Sequence, residues 1–186
     1  MHKFVLTWIS NVLDLHPPVV ALAIAQRAKF EGWLKIELAG QALGAGARDI
    51  TLEASLPRTA SKADLAFSFD DQRFFVELKT PNTNWRLPGV LSLHRPITNN
   101  IESIVFDGNK LSKAGVNGIV AFVMFPVPPG DRRWLAYYER IIKELDAPSD
   151  PDNHTAQSSI AIDPKNNADV VIVSIPVQPA QGFRDA

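Results

Sequence analysis

Three residues of types that can do chemistry together are Asp64, Glu77 and Lys79. Each lies in a run of alternating apolar and polar residues that predicts a β-strand, and residues 70–72 between the runs predict a hairpin turn. Glu77 and Lys79 are two residues apart, so they share one face of their strand. Because the hairpin brings Asp64 beside them, we expect two carboxylates and one ammonium group to converge at one place on a sheet.

This trio suits a hard divalent cation. The carboxylates of Asp64 and Glu77 are ligands that Mg²⁺ or Mn²⁺ prefers, and the carbonyl of Leu78 could add a third. Such an ion neutralises phosphate charge and lowers the pKa of bound water, while Lys79 could position that water or stabilise developing negative charge. The alternative is an ordinary ion-pair cluster, because Glu-x-Lys is common on solvated strands. Aspartate, however, is a poor strand former, and Asp64 opens its strand.

Other chemistries find little support in the sequence. The chain has no cysteine, so thiolate metal sites and disulfides are excluded. It has no phosphate loop and no serine nucleophile elbow. Its histidines form no pair at metal-ligand spacing; they are His2, His16, His94 and His154.

Hydrophobic periodicity outlines the elements that must position the trio. Strands are predicted at residues 49–56, 63–69, 73–79, 118–125 and 169–177. Helices are predicted at residues 3–13, 19–43, 98–114 and 134–145, and loops at 80–96 and 147–167. A meander followed by strands joined through helices predicts an α/β fold, an α+β mixed sheet with helices on both faces.

Length and composition indicate one globular domain over residues 1–186, with a core at about 19–177 and a tail at 178–186. The apolar fraction is 46% and the charged fraction 21%, which are ordinary values for a soluble protein. The apolar run at residues 19–25 is too short to cross a bilayer. The N-terminus is not typical of a signal peptide, so we expect a cytoplasmic protein without membrane contact.

The trio also carries a family resemblance. Asp64, twelve intervening residues and then Glu77–Lys79, preceded by a glutamate-bearing helix, resembles the PD-(D/E)XK nuclease superfamily over about residues 29–125. The resemblance implies a restriction endonuclease-like αβββαβ core with an extra N-terminal helix, a C-terminal helix and a last strand. It further implies Asp64 and Glu77 as metal ligands and Lys79 as the catalytic lysine. One departure is Ala63, where the family motif has proline.

The family usually adds a catalytic glutamate from the first core helix, where this chain offers Glu31 and Glu37. At 100° per residue Glu31 falls on the apolar face with Leu34 and Leu38. A carboxylate there is unfavourable without a partner such as a metal, so Glu31 is preferred. Either glutamate could also be an ordinary surface acid.

Four residues near the trio are candidates for contacting substrate: Asn82, Arg86, Arg95 and Lys110. Asn82 could equally make a turn, a position that asparagine favours. Arg86 and Arg95 lie in a basic and aromatic loop that could grip a phosphate backbone. The alternative is a covered loop with Trp85 packed on the body of the protein.

The resemblance implies a Mg²⁺- or Mn²⁺-dependent nuclease that hydrolyses phosphodiester bonds, with DNA as the expected partner. Many nucleases of this family cut as dimers, so a homodimer is a further expectation. A net charge of −1 gives little bulk attraction to nucleic acid, so binding would need local basic patches. The competing hypothesis is a non-catalytic binding or regulatory module on the same fold, since fold does not fix function.

Overall fold

The computed structural model describes residues 1–92 and 97–180, which form six helices and one six-stranded mixed sheet. The helices are α1 (His2–Leu15), α2 (Pro17–Gln26), α3 (Glu31–Gly44), α4 (Thr98–Ala114), α5 (Trp134–Glu144) and α6 (Pro151–His154). The strands are β1 (Arg48–Ser55), β2 (Lys62–Phe69), β3 (Gln72–Lys79), β4 (Asn117–Val127), β5 (Thr155–Asp163) and β6 (Asn166–Val177). The predicted α+β class with a mixed sheet is confirmed.

The sheet has the strand order β1-β2-β3-β4-β6-β5. Strands β1, β2 and β3 form the predicted antiparallel meander, and β4 lies parallel to β3. The parallel pair needs a crossover, which α4 supplies. Strand β6 then pairs antiparallel with both β4 and β5.

Helices cover both faces of the sheet. Helices α1, α2 and α3 pack on the face that carries Leu65 and Leu78, and α4 and α5 pack on the face that carries Ala66 and Phe75. Strand β4 is buried on both faces, which explains its nearly continuous apolar sequence. Helix α1 also contributes buried residues such as Ile9 to the hydrophobic core.

The single helix predicted over residues 19–43 is wrong, because the chain breaks between α2 and α3. Arg27 adopts a left-handed conformation with φ of 49°, which ends α2. Its guanidinium donates to the backbone carbonyls of Thr83, Trp85 and Leu91. Local sequence favours a continuous helix here, so these contacts with a distant loop override local propensity.

The loop predicted over residues 147–167 is also wrong, because this segment contains α6 and β5. Strand β5 is an edge strand with many polar, partly exposed residues, and only Ile160 is buried in it. An edge strand of this composition gives little hydrophobic signal, although residues 163–166 form a tight turn between two pairing segments.

Gly108 lies within α4 without interrupting it, although glycine has a low helix propensity. A Cβ added there would lie 2.5 Å from Leu145 and 3.2 Å from Val120. The missing side chain therefore lets α4 lie close against β4 and the end of α5. This approach brings the neighbouring Asp107 and Lys110 to the sheet.

Within the described residues, no single helix combines the length and apolar character needed to cross a membrane. Helices α1 and α2 reach that length and character only as a pair, and they are bent by 90° relative to each other.

Candidate active site

The predicted trio lies where β2 and β3 separate. Their ladder ends at Leu65 and Val76, so Asp64 and Glu77 are the first residues beyond its last pair. Oδ2 of Asp64 accepts a hydrogen bond of 2.9 Å from the backbone N–H of Leu78. The N–H and C=O of one strand residue point to the same side, so the Leu78 carbonyl also opens towards β2.

Glu77 is a buried carboxylate, with a side chain that is 3% exposed. Burial raises its pKa to about 8. The neighbouring charges of Asp107 and Asp64 add to this rise, and Lys110, whose Nζ lies 2.5 Å from Oε1 of Glu77, offsets it in part. The positive charge of Lys110 is therefore too small to offset what the Glu77 carboxylate loses when it is buried away from water.

Lys79, the last residue of β3, reaches both helical layers. Its Nζ lies 2.9 Å from Oδ2 of Asp107 on α4 and 3.7 Å from Oε1 of Glu31 on α3. Burial disfavours its charged form, but Asp107, Glu31 and Asp64 together raise its pKa. Lys79 is therefore a charged ammonium among carboxylates.

The two helix glutamates have different surroundings. Glu31 opens α3 and contacts Lys79, and burial raises the pKa of Glu31 despite that contact. The negative charge of Asp64 also raises the pKa of Glu31, so these two carboxylates are close enough to repel each other. Glu37 instead faces His16, with 3.8 Å between Oε2 and Nε2. Of the two candidates, the structure brings Glu31 to the trio.

Two site residues were missed by sequence reasoning, Asp107 and Lys35. Asp107 is 7% exposed and contacts both Lys79 and Lys110. Its signal was an acid within the apolar stripe of α4, the same signal that favoured Glu31. Lys35 lies 3.3 Å from Oδ1 of Asp64 and also pairs with Glu53, which leaves no trace in local sequence.

Ion pairs connect these side chains into two groups, one around Lys35 and one around Lys79 and Lys110, and the hydrogen bond from the Leu78 N–H to Asp64 brings the two groups together; we call them the acid–lysine cluster. Its members are Glu31, Glu53, Asp64, Glu77 and Asp107 together with Lys35, Lys79 and Lys110. Five carboxylates against three ammonium groups leave an excess of two negative charges when all are ionised. A bound divalent cation would neutralise that excess, and its preferred ligands are carboxylate and carbonyl oxygens.

The carboxylates nevertheless face lysines rather than one another. In the part of the chain that the structure describes, no three carboxylate or imidazole groups are arranged so that they could hold a metal ion. The carboxylate oxygens are thus of the type that binds Mg²⁺ or Mn²⁺. In this structure, however, Lys35 contacts Asp64 and Lys110 contacts Glu77, the two carboxylates that would bind the ion.

The predicted substrate contacts lie in different settings. The amide of Asn82 donates to the carbonyl of Arg27, so it has a structural partner. Arg86 is exposed. Lys110 is engaged with Glu77, with Asp107 and with the carbonyl of Lys62. Arg95 lies outside the described residues, as does His94.

The loop after β3 is held against the body of the protein. Arg27 binds three of its carbonyls, as described above, and Trp85 packs against Tyr137 with ring centroids 6.1 Å apart. The guanidinium of Arg133 lies 5.1 Å from the Trp85 ring. Trp85 therefore follows the covered-loop alternative.

Comparison with known proteins gives no relative for this chain: no family model matches it, and no curated protein or solved structure matches it significantly.

Proposed function

We propose that this protein is a divalent-metal-dependent nuclease of the PD-(D/E)XK type that hydrolyses phosphodiester bonds in DNA. The carrying observation lies at the end of the β2–β3 ladder, where Asp64 accepts a hydrogen bond from the Leu78 N–H, between Glu77 and Lys79 on β3. The element order α3, β1, β2, β3, α4, β4 agrees with the restriction endonuclease-like αβββαβ core that the resemblance implies.

In this proposal Asp64, Glu77 and the Leu78 carbonyl would hold Mg²⁺ or Mn²⁺. When bound, the ion supplies neutralising charge for the phosphate and a lower pKa for an attacking water. Lys79 holds a positive charge at the reacting phosphate, because the surrounding carboxylates keep it protonated. Glu31 contacts Lys79 and fixes where that ammonium lies.

Two lysines must then exchange partners. Lys35 contacts Asp64 and Lys110 contacts Glu77, so each protects a carboxylate that the ion needs. Both lysines are long, flexible side chains, each 17% exposed, and they would move aside if a bound cation balanced the carboxylate charge in their place. Released from Glu77, Lys110 becomes available to a phosphate, which is the substrate contact predicted from the sequence.

The test is nicking of supercoiled plasmid DNA by the purified protein with Mg²⁺ or Mn²⁺. Asp64→Ala and Lys79→Ala are expected to lower the rate by about a thousandfold or more, as loss of central electrostatic groups does. Asp71→Asn is the matched control, because Asp71 lies at the exposed end of the same hairpin and pairs with Arg48. Nicking that survives both alanine variants would show that another site or a contaminant cuts the DNA.

A non-catalytic binding module is the second candidate. The observation that favours it is that every carboxylate of the cluster already contacts a lysine without any ion. Calorimetry with Mn²⁺ separates the two. The nuclease proposal expects binding that Asp64→Ala removes, and the module expects heat no larger than the buffer control. RNA and free nucleotides are tested as alternative substrates in the same buffer with Mg²⁺ or Mn²⁺.

A further inference from the structure

A groove of about 280 Å³ adjoins the acid–lysine cluster, between α4 and the connection from β1 to β2. Its lining residues are Thr59, Ser61, Phe106, Asn109, Lys110 and Lys113. The last four recur at intervals of three and four residues, so they share one face of α4. Lys110 also contacts Glu77, which makes the groove continuous with the candidate active site.

Phe106 gives the groove an exposed aromatic surface, since 70% of this residue is accessible to solvent. Everything else that lines the groove is polar or cationic, and Lys113 is exposed beside it. An aromatic face among ammonium, amide and hydroxyl groups is the combination that stacks nucleic-acid bases and holds their phosphates. An apolar peptide side chain could form neither an ion pair nor a hydrogen bond with the two lysines.

We propose that this groove binds one unpaired nucleotide of a nucleic-acid strand, next to the phosphate that enters the acid–lysine cluster. The identity of that phosphate rests on the proposed function. Phe106 stacks on the base, Lys113 contacts a phosphate, and Asn109 hydrogen-bonds to the base or sugar.

The substrate class follows from this contact. A base inside a continuous duplex is stacked on both faces, so it can reach Phe106 only after unstacking. The groove of about 280 Å³ lies at the lower end of ligand-pocket volumes, about 300–1,000 Å³, so it has room for a single small unit such as one nucleotide. The preferred substrates are therefore single strands and duplexes with an unpaired base near the cut, rather than uninterrupted duplexes.

The test measures binding without cleavage. Fluorescence anisotropy in EDTA at low salt compares a labelled single-stranded oligonucleotide with the blunt duplex formed from it. We expect tighter binding of the single strand, a roughly tenfold weaker affinity in Phe106→Ala, and recovery in Phe106→Trp. Lys113→Gln should weaken binding and reduce its salt dependence, because one phosphate contact is lost. Duplex binding should be the same in Phe106→Ala as in the unmodified protein.

Two variants are matched controls. Phe4→Ala removes an aromatic ring that is 51% exposed on α1, on the opposite face of the sheet, and Lys143→Gln removes an exposed lysine on α5. Neither should change the affinity. The groove proposal is overturned if the single strand does not bind, if Phe106→Ala binds like the unmodified protein, or if Phe4→Ala loses as much affinity.

Cleavage assays separate this inference from the proposed function. If the single strand binds through Phe106 but neither oligonucleotide is cut with Mg²⁺ or Mn²⁺, the nuclease proposal fails and the groove stands. If DNA is cut and Phe106→Ala leaves KM for the single strand unchanged, the groove proposal fails and the nuclease stands.

Discussion

The protein buries charge in two neighbouring places and satisfies it in two different ways. Arg27, which is 5% exposed, donates to three backbone carbonyls of the loop after β3. In the acid–lysine cluster, buried Glu77 and half-buried Lys79 contact charged side chains instead of backbone carbonyls. Backbone carbonyls cannot leave Arg27 without unfolding the loop, whereas a lysine can swing away from a carboxylate.

The charge of Arg27 therefore stabilises the fold, whereas the charges of the acid–lysine cluster can rearrange when a ligand binds. The guanidinium of Arg27 has fixed, neutral partners and ties the α2–α3 junction to the loop. Every carboxylate of the cluster has a partner that another cation can replace. The pKa of Glu77 is raised to about 8 because burial outweighs the compensation from Lys110. A buried group that remains poorly compensated is typical of functional sites.

The largest effect on stability is expected at Arg27. Arg27→Met removes the guanidinium and leaves three carbonyls without their donor, at roughly 1–3 kcal/mol for each buried unsatisfied group. We expect the free energy of unfolding to fall by about 3–5 kcal/mol in urea titrations. Arg48→Met is the control, because the Arg48–Asp71 pair is exposed and should contribute less than about 1 kcal/mol. Equal losses in the two variants would contradict a structural role specific to Arg27.

The same two regions show which features could be predicted from the sequence. Strand alternation and the turn at residues 70–72 predicted the hairpin, and with it the neighbourhood of Asp64, Glu77 and Lys79. An acid on an apolar helix face predicted Glu31 correctly as the nearer glutamate. These signals are local, so they can be read from spacing alone.

The partners of these residues could not be predicted in the same way. Lys35 reaches Asp64, and Arg27 reaches Leu91, through contacts that only the packed helices create. The break at Arg27 contradicts local helix propensity for the same reason. Asp107 is the exception, because an acid on the apolar face of a helix can be recognised from the sequence. Strand β5 was missed because a polar edge strand resembles a loop in composition.

The second effect concerns the pH dependence of stability. The folded pKa of Glu77 is about 8, above its ordinary value of 4.5, so the folded state keeps a proton that the unfolded state has lost between these values. Stability should therefore fall as pH rises from about 4.5 to 8 and then level off. We expect Glu77→Gln to remove this decline, because a neutral amide has no proton to lose.

Urea unfolding in EDTA across this pH range measures the effect. Glu102→Gln is the control, because its side chain is 64% exposed, and its profile should follow that of the unmodified protein. If Glu77→Gln declines as steeply as the unmodified protein, burial does not perturb this carboxyl as described. Arg27→Met should keep the decline, since the guanidinium partners do not titrate.

The smallest effect on stability is expected at Lys35, and it tests whether the cluster is exchangeable. Lys35→Gln removes the ammonium from exposed Glu53 and from Asp64, whose side chain is 14% exposed but keeps its hydrogen bond from Leu78, so the loss should be about 1–2 kcal/mol. The same change frees Asp64 and should tighten Mn²⁺ binding several-fold in calorimetry. Lys143→Gln, an exposed lysine on α5, should leave both quantities unchanged. A large loss of stability without a gain in Mn²⁺ affinity would mean that Lys35, like Arg27, is a fixed structural contact, and the distinction between the two regions would disappear.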